Sequence, residues 1–250
     1  MALSLLIFIT LASVGWSLWI RRLTWHSRWE VAATFNIALQ GASVALMSPL
    51  AANTVGVALH DLTGVWNLQN YLGHDCYVVA ASAIVYNALG RIADDHALQT
   101  AFKQYIERPA TLCIPLLLAT FSLSRGSKTY ARDFFALPTD FWLSVYWILL
   151  CGTLIYLLAF GFRALLVLRQ DPRSTHIANL YLFACGSGIA ACAIRIITAL
   201  VPAIQGRGDS ALVWFFACTC GAGFALTSAQ SWRQKVKWFQ GSSNPRLTSH

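Results

Sequence analysis

The run ALSLLIFITLASVGWSLWI, from Ala2 to Ile20, contains no charged residue, and stretches like it recur along the chain. No other feature limits the possible folds as much, because about 20 apolar residues are what an α-helix needs to cross the hydrocarbon core of a bilayer. Seven candidates can be drawn, at residues 2–20, 30–48, 68–90, 108–124, 141–163, 176–200 and 210–230. Only 11% of the 250 residues are charged, against roughly 25% in a soluble domain. A soluble core of this size would still need a charged shell. The sequence therefore predicts an all-α integral membrane protein, a bundle of seven transmembrane helices over residues 1–230. The opening run reads as a first span and not as a cleavable signal peptide, since no basic residue precedes it. The fourth run is the weakest. It is short and holds Pro115, which removes a backbone hydrogen bond and tends to kink a helix, a defect that neighbouring helices can absorb.

A net charge of +8 would point to nucleic acid in a soluble protein. Here the cations sit in the short segments between apolar runs, so they report orientation and contact with anionic lipid, with no nucleic-acid partner. Arg21, Arg22, Arg28, Arg91, Lys103, Arg108, Arg163, Arg169, Arg173, Arg233, Lys235, Lys237 and Arg246 fall on one side of such a threading. Arg125, Lys128, Arg132 and Arg207 fall on the other, and Arg195 lies inside a span. Thirteen against four predicts the N-terminus outside and the C-terminus in the cytosol, with the chain in the cytoplasmic membrane.

The connections carry their own signals. In DDHALQTAFKQYIERP, Leu98, Phe102 and Ile106 share a helical stripe, with Asp94 and Asp95 at its start and Lys103 and Arg108 towards its end. These charges complement a helix dipole and predict a short amphipathic helix on the inner surface. SWRQKVKWFQ reads as a basic juxtamembrane anchor, and with GSSNPRLTSH, read as disordered, it makes up residues 231–250. The outer segment from Pro49 to Trp66 lacks lysine and arginine and is expected to lie in the interface or partly re-enter. Ala184 and Gly188, Gly186 and Ala190, and Ala217, Gly221 and Ala225 repeat at a spacing of four, which lets helix backbones approach closely. The seven cysteines all lie in apolar runs, so they read as packing residues. Cys218 and Cys220 fall on different sides of a helix, which argues against a metal site.

The polar residues inside the spans are the candidates for function. An aspartate or arginine at mid-membrane costs about 2.5–3.5 kcal/mol on insertion scales, and such residues usually face the bundle interior with a partner. At 1.5 Å per residue Asp75 lies about 12 Å into its helix and Arg195 about 9 Å from the same surface. Their depths predict a salt bridge between the third and sixth spans. Asp75, Ser82 and Tyr86 fall on one stripe, His74 on another with Asn67 and Asn70, and Asn36 and Gln40 line up in the second span with Ser43. Together these predict a polar cavity opening outward. Three uses remain open for it: an ion pair that only packs and orients, a site for a small solute or ion, and a proton relay through His74 and Asp75. On this expectation Asp75→Asn and Arg195→Gln each impair the protein, and exchanging the two charges partly restores it.

Several chemistries are excluded. Lys103, Lys128, Lys235 and Lys237 all lie outside the spans, so no Schiff base to retinal forms in the last one. His74 is the one histidine well inside a span, so haem held by two facing histidines is excluded. HExxH and GxSxG are absent, and CGSGIA lacks a phosphate-binding lysine. No cofactor, metal site or catalytic set is predicted, and the chain is not read as an enzyme.

The stretch PLAANTVGVALHDLTGVWNLQNYLGHDCYVVAAS carries a pattern of Pro49, Asp61, Leu62, Thr63, Gly64, Asn67, Leu68 and His74. It resembles a group of actinobacterial multi-pass membrane proteins regarded as transporters, in which a proline closes one span, an outer D-L-T-G turn follows, and the next span bears a histidine. The arginine-bearing segment before the second span and the seven-span layout fit the same group. Many of its members continue into a cytosolic C-terminal region, whereas this chain stops soon after its last span. DLTG also fits a plain helix-capping turn, with Asp61 or Thr63 capping and Gly64 supplying a permissive backbone. The expected function is binding or passage of a small solute near Asp75, His74 and Arg195. The alternative is a membrane-embedded sensor or accessory protein acting through a cytosolic or membrane partner by its inner segments, the 91–108 helix above all.

Overall fold

Each of the apolar runs folds as a helix. The structure, a computed structural model, describes residues 2–27, 30–91, 95–201, 205 and 207–242. In chain order the helices are α1 Ala2–Ile20, α2 Val31–Met47, α3 Pro49–Asn53, α4 Val55–Thr63, α5 Leu68–Leu89, α6 Asp95–Phe102, α7 Arg108–Leu123, α8 Phe141–Leu168, α9 Thr175–Leu200 and α10 Arg207–Ser242. Among the described residues there is no strand. Among the described residues five helical runs are long and apolar enough to cross a membrane: Ala2–Ile20, Gln99–Leu123, Phe141–Leu168, Thr175–Leu200 and Ser210–Lys237. These are the features of a multi-pass membrane protein. Large apolar side chains such as Phe8, Trp19, Leu112, Phe183 and Phe215 point outward from these helices, where only lipid can cover them without cost.

α2 and α5 stand apart from those five. α2 has 17 residues, and α5, though 22 residues long, carries Gln69, Asn70, His74 and Asp75. Their packing explains why they tolerate polar groups. α2 packs on α5, α5 on α8, α8 on α9, α9 on α10, and α10 returns to α2, so these five helices close a ring. α1 covers the seam between α2 and α10, and α7 covers the seam between α5 and α8. The two covering helices are accordingly the least enclosed of the five apolar runs, 22% and 33% buried against 44–50% for those that belong to α8, α9 and α10. α5 has the ring interior on one side and α7 on the other, so little of it needs to be apolar towards lipid.

Two features differ from the sequence reading. The amphipathic segment does not lie apart as a surface helix: α6 continues through a π-helical turn, Lys103–Glu107, straight into α7. Pro109 accounts for the turn. It has no N–H to give the carbonyl of Tyr105 four residues earlier, and the Tyr156 hydroxyl of α8 donates to that carbonyl instead, at 2.8 Å. Phe102 stacks edge-on against Tyr86, and Ile106 is buried. Asp94 lies outside the described residues, as does the side chain of Leu98. The second difference is at the C-terminus, where α10 runs past residue 230 to Ser242 without a break, so the basic anchor continues the last helix. The tail read as disordered lies, from residue 243, outside the described residues.

The segment from Pro49 to Trp66 forms α3 and α4. Ser48 caps α3, its Oγ accepting from Ala51 N–H at 3.1 Å, and Pro49 takes the first turn. Gly64 ends α4 at φ 73°, a left-handed conformation that favours glycine. Its N–H reaches the carbonyl of His60 at 2.7 Å, so DLTG is a helix C-terminus.

Small residues bring α9 and α10 together. A Cβ on Gly188 would meet Leu158 and Cys220 at 2.8 and 2.9 Å, and one on Gly223 would meet Ala184 at 3.0 Å. Gly186 has open space around it. All seven cysteines are free thiols. Cys218 packs with Ile7, Val44 and Trp214, and Cys220 with Ile84, Leu158 and Phe224, on opposite sides of α10.

Candidate functional site

His74 and Asp75 are neighbours in sequence, so on a helix their side chains diverge by about 100°. Only one of them can face the ring interior, and it is His74. Its imidazole is fully enclosed. Nδ1 lies 2.7 Å from the hydroxyl of Tyr146, and Phe134, Phe135 and Trp147 surround the ring. Asp75 is on the α7 side of α5, near Tyr71 and Cys113, and its Oδ1 is buried with no hydrogen-bond partner among the described residues. The hydroxyl of Tyr71, one turn earlier, reaches the Ile114 carbonyl of α7 at 3.5 Å.

Arg195 does not lie against Asp75. Its guanidinium lies 4.3 Å over the Trp147 ring, and Nη1 donates to Thr198 Oγ1 at 2.9 Å. Asp75 has no ion-pair partner among the described residues, and the ion pairs Arg21–Glu30 and Lys235–Glu30 lie at the arginine-rich end. The expected Asp75–Arg195 salt bridge is therefore replaced by an arrangement in which Arg195 and His74 share one chamber.

That chamber lies within the ring, with a volume of about 70 Å³, and α2, α5, α8, α9 and α10 all contribute to its wall. Much of the wall is apolar, from Ala80, Leu150, Leu154 and Leu158 for example. Set into it are polar side chains: Gln40, His74, Tyr77, Trp147 and Arg195. Gln40 Oε1, His74 Nε2, the Tyr77 hydroxyl and Trp147 Nε1 are all buried without a hydrogen-bond partner among the described residues. Gln40 Nε2 is held by Asn36 Oδ1 at 2.8 Å, which makes Asn36 a support and not part of the wall. Ser43 donates to the Gly73 carbonyl at 2.6 Å and fastens α2 to α5. Ser82 bonds back to Val78 of its own helix at 3.0 Å. Tyr86 lies against Phe102. The stripe of Asp75 and Tyr86 is thus real, but it faces the α6–α7 run and not the ring interior.

The segment between α7 and α8 closes one end of the chamber, and its role was not legible in the sequence. Phe134 and Phe135 drop onto His74 and Trp147. Asp133 holds them there: its carboxylate accepts from Phe135 N–H at 3.1 Å, from Trp214 Nε1 at 3.2 Å, and from Ser210 Oγ. Asp140 caps α8 through Leu143 N–H at 2.9 Å and also accepts from Arg125 N–H at 3.0 Å. Asn67, which shares a stripe with His74, instead staples this segment to the start of α5. Its Nδ2 donates to the carbonyls of Gly126 and Thr129 at 2.7 and 2.8 Å, and its Oδ1 accepts from Ala131 N–H at 3.2 Å. The pattern D-F-F ahead of an Asp-capped helix was the available signal, but it resembles any polar loop.

A second polar cluster lies at the arginine-rich end. Arg21 is buried between α1, α2 and α10, donating from Nε to Thr34 Oγ1 at 3.1 Å, from Nη1 to the Ser228 carbonyl at 3.3 Å, and from Nη2 to Glu30 Oε2 at 2.8 Å. Lys235 of α10 donates to the other oxygen of Glu30. Burial alone would raise the Glu30 pKa, but the bonds from Lys235 and Arg21 outweigh it and hold the carboxyl below its ordinary range.

No protein-family model, curated protein or solved structure matches the chain, so the reading of the chamber rests on its geometry.

Proposed function

We propose that this is a seven-span membrane protein, not an enzyme, whose five-helix ring binds a small solute in the chamber between His74 and Arg195 and passes it across the membrane. α2 and α5 count as spans in this reading because they run beside α8, α9 and α10 through the same layer, about 26 and 33 Å at 1.5 Å per residue. The bias of arginine and lysine towards one end puts that end in the cytosol. The observation that carries the function is the convergence at one chamber of four buried polar atoms, on Gln40, His74, Tyr77 and Trp147, that have no hydrogen-bond partner among the described residues. Each such atom costs about 1–3 kcal/mol when left without a bond. A core built only for packing would replace them with apolar groups, whereas a solute with matching donors and acceptors recovers the cost. The resemblance of the 49–74 stretch to multi-pass proteins regarded as transporters points the same way.

The chamber is far smaller than the roughly 300–1,000 Å³ of drug-sized sites, so the solute has only a few heavy atoms. The test is ligand-dependent thermal stabilisation of the detergent-solubilised chain across a panel of small solutes. A saturable rise in Tm that disappears in His74→Ala, and persists in Asp75→Asn, supports the proposal. A panel with no saturable shift, or a shift untouched by changes at both His74 and Gln40, defeats it.

A further inference from the structure

A second and larger cavity, about 420 Å³, opens at the arginine-rich end of the same ring. Helices α2, α5, α8, α9 and α10 all contribute to it, as they do to the chamber. Ile84 of α5 belongs to the walls of both. Around Ile84 the partition is apolar: Leu158, Leu165, Leu182 and Phe224 pack with it in one buried cluster. The two spaces therefore adjoin within the ring, separated at that level by this apolar cluster.

Cations predominate among their charged groups. The larger cavity is walled by Arg91, Arg173 and Lys235, the last already paired with Glu30, and by one carboxylate, Asp171. Asp171 is already engaged locally, accepting from Arg173 N–H at 3.1 Å and from Ser174 Oγ at 3.0 Å. Arg91 Nε donates to Asn87 Oδ1 at 3.2 Å, and the Asn87 Nδ2 beside it is a buried donor with no partner among the described residues. In the chamber Trp147 Nε1 is a donor only and Arg195 supplies a cation; His74 Nε2 is a further donor in the tautomer whose Nδ1 accepts from the Tyr146 hydroxyl, and Gln40 Oε1 is an acceptor.

We propose that the two cavities are successive compartments of one route for a compact anion, of the class of formate or nitrate, with Ile84 and its apolar neighbours as the barrier between them. Arg91 and Arg173 concentrate anions at the arginine-rich mouth by their field. The donors of the chamber replace part of the hydration shell. The Ile84 level is closed to water and ions until the helices move apart, as hydrophobic constrictions in channels are. This inference rests on the solute-binding reading and adds the charge of the solute and the location of the barrier.

The test uses the full chain reconstituted in phosphatidylcholine vesicles, with flux of formate, nitrate and chloride compared with that of glycerol and potassium. Formate or nitrate should pass faster than glycerol and potassium. The rate should fall about tenfold in the Arg91→Gln/Arg173→Gln double variant, the low end of the range for electrostatic focusing. Ile84→Trp should abolish flux, and Ile84→Ala, which covers the case where the tryptophan variant does not fold, should raise it. Glycerol or potassium passing as fast as formate overturns the inference, as does the absence of any anion flux or an anion rate indifferent to residue 84. These outcomes leave solute binding in the chamber standing, since that is read separately by Tm in detergent.

Discussion

At the scale of single residues, Asn67 carries more than its place in the sequence suggests. It is buried, its φ of 58° is in the left-handed region, and its side chain makes three bonds to the segment that closes the chamber. Asn67→Ala removes all three bonds and should lower stability by about 2–4 kcal/mol, read by unfolding in mixed micelles. Asn67→Gly also loses the bonds but keeps the permitted φ, so it should be the milder of the two by about 1 kcal/mol. Glu30 gives a prediction in pH. Its carboxyl is held below the ordinary range by Lys235 and Arg21, so the folded chain favours the charged form. That stability is fully present above the unfolded value of about 4.3 and is lost as the pH falls through the lower, folded value. Melting temperature measured from pH 7 downward should therefore drop in this acid window. Glu30→Gln should flatten its share of the drop while lowering stability at pH 7 by about 3 kcal/mol, because it strands a buried guanidinium.

At the scale of helices, the close approaches are uneven, and glycine substitutions should show it. A Cβ on Gly73 of α5 would meet Met47 Cγ at 2.9 Å and the Ser43 carbonyl oxygen at 3.2 Å. Backbone cannot step aside as a side chain can, so Gly73→Ala should cost about 1–3 kcal/mol by overpacking the α2–α5 contact. Gly186 of α9 has nothing within 4 Å of a Cβ. Gly186→Ala should be neutral or stabilise by up to about 1 kcal/mol through helix propensity alone. Comparing unfolding of the two variants in one detergent checks both. The sequence placed Gly186 and Gly188 in equivalent small-residue patterns, and only the packing of α10 distinguishes them. In the same way the stripe Phe102–Ile106 was legible as apolar, but its fusion to α7 was not. That fusion depends on Pro109 freeing a carbonyl that a tyrosine on another helix, Tyr156, happens to reach.

At the scale of the whole molecule, the threading makes a direct prediction. A reporter fused after His250 should be active on the cytosolic side, and one placed in the Arg125–Asp140 segment should be accessible only from outside. The reverse pattern would invert every statement about which end of the ring faces the cell. The enclosure of α5 explains why a helix that carries Gln69, Asn70, His74 and Asp75 is also one of the most central: lipid contact is what demands hydrocarbon, and α5 has little of it.

The amino-acid sequence determined by itself that the chain is helical, where its long apolar runs lie, and that His74, Asp75 and Arg195 are polar residues set within such helices. Those properties are local or additive along one strand of chain. Which way each side chain points is not. His74 and Asp75 diverge around the helix axis, and only the neighbours of α5 decide that the imidazole meets the chamber while the carboxylate turns towards α7. The closing segment is likewise a tertiary product: Asp133 gains its meaning from Ser210 and Trp214, nearly eighty residues later in the chain. Tertiary structure decided the site because burial of a polar group depends on what faces it, and facing is a relation between helices that no single run of sequence contains.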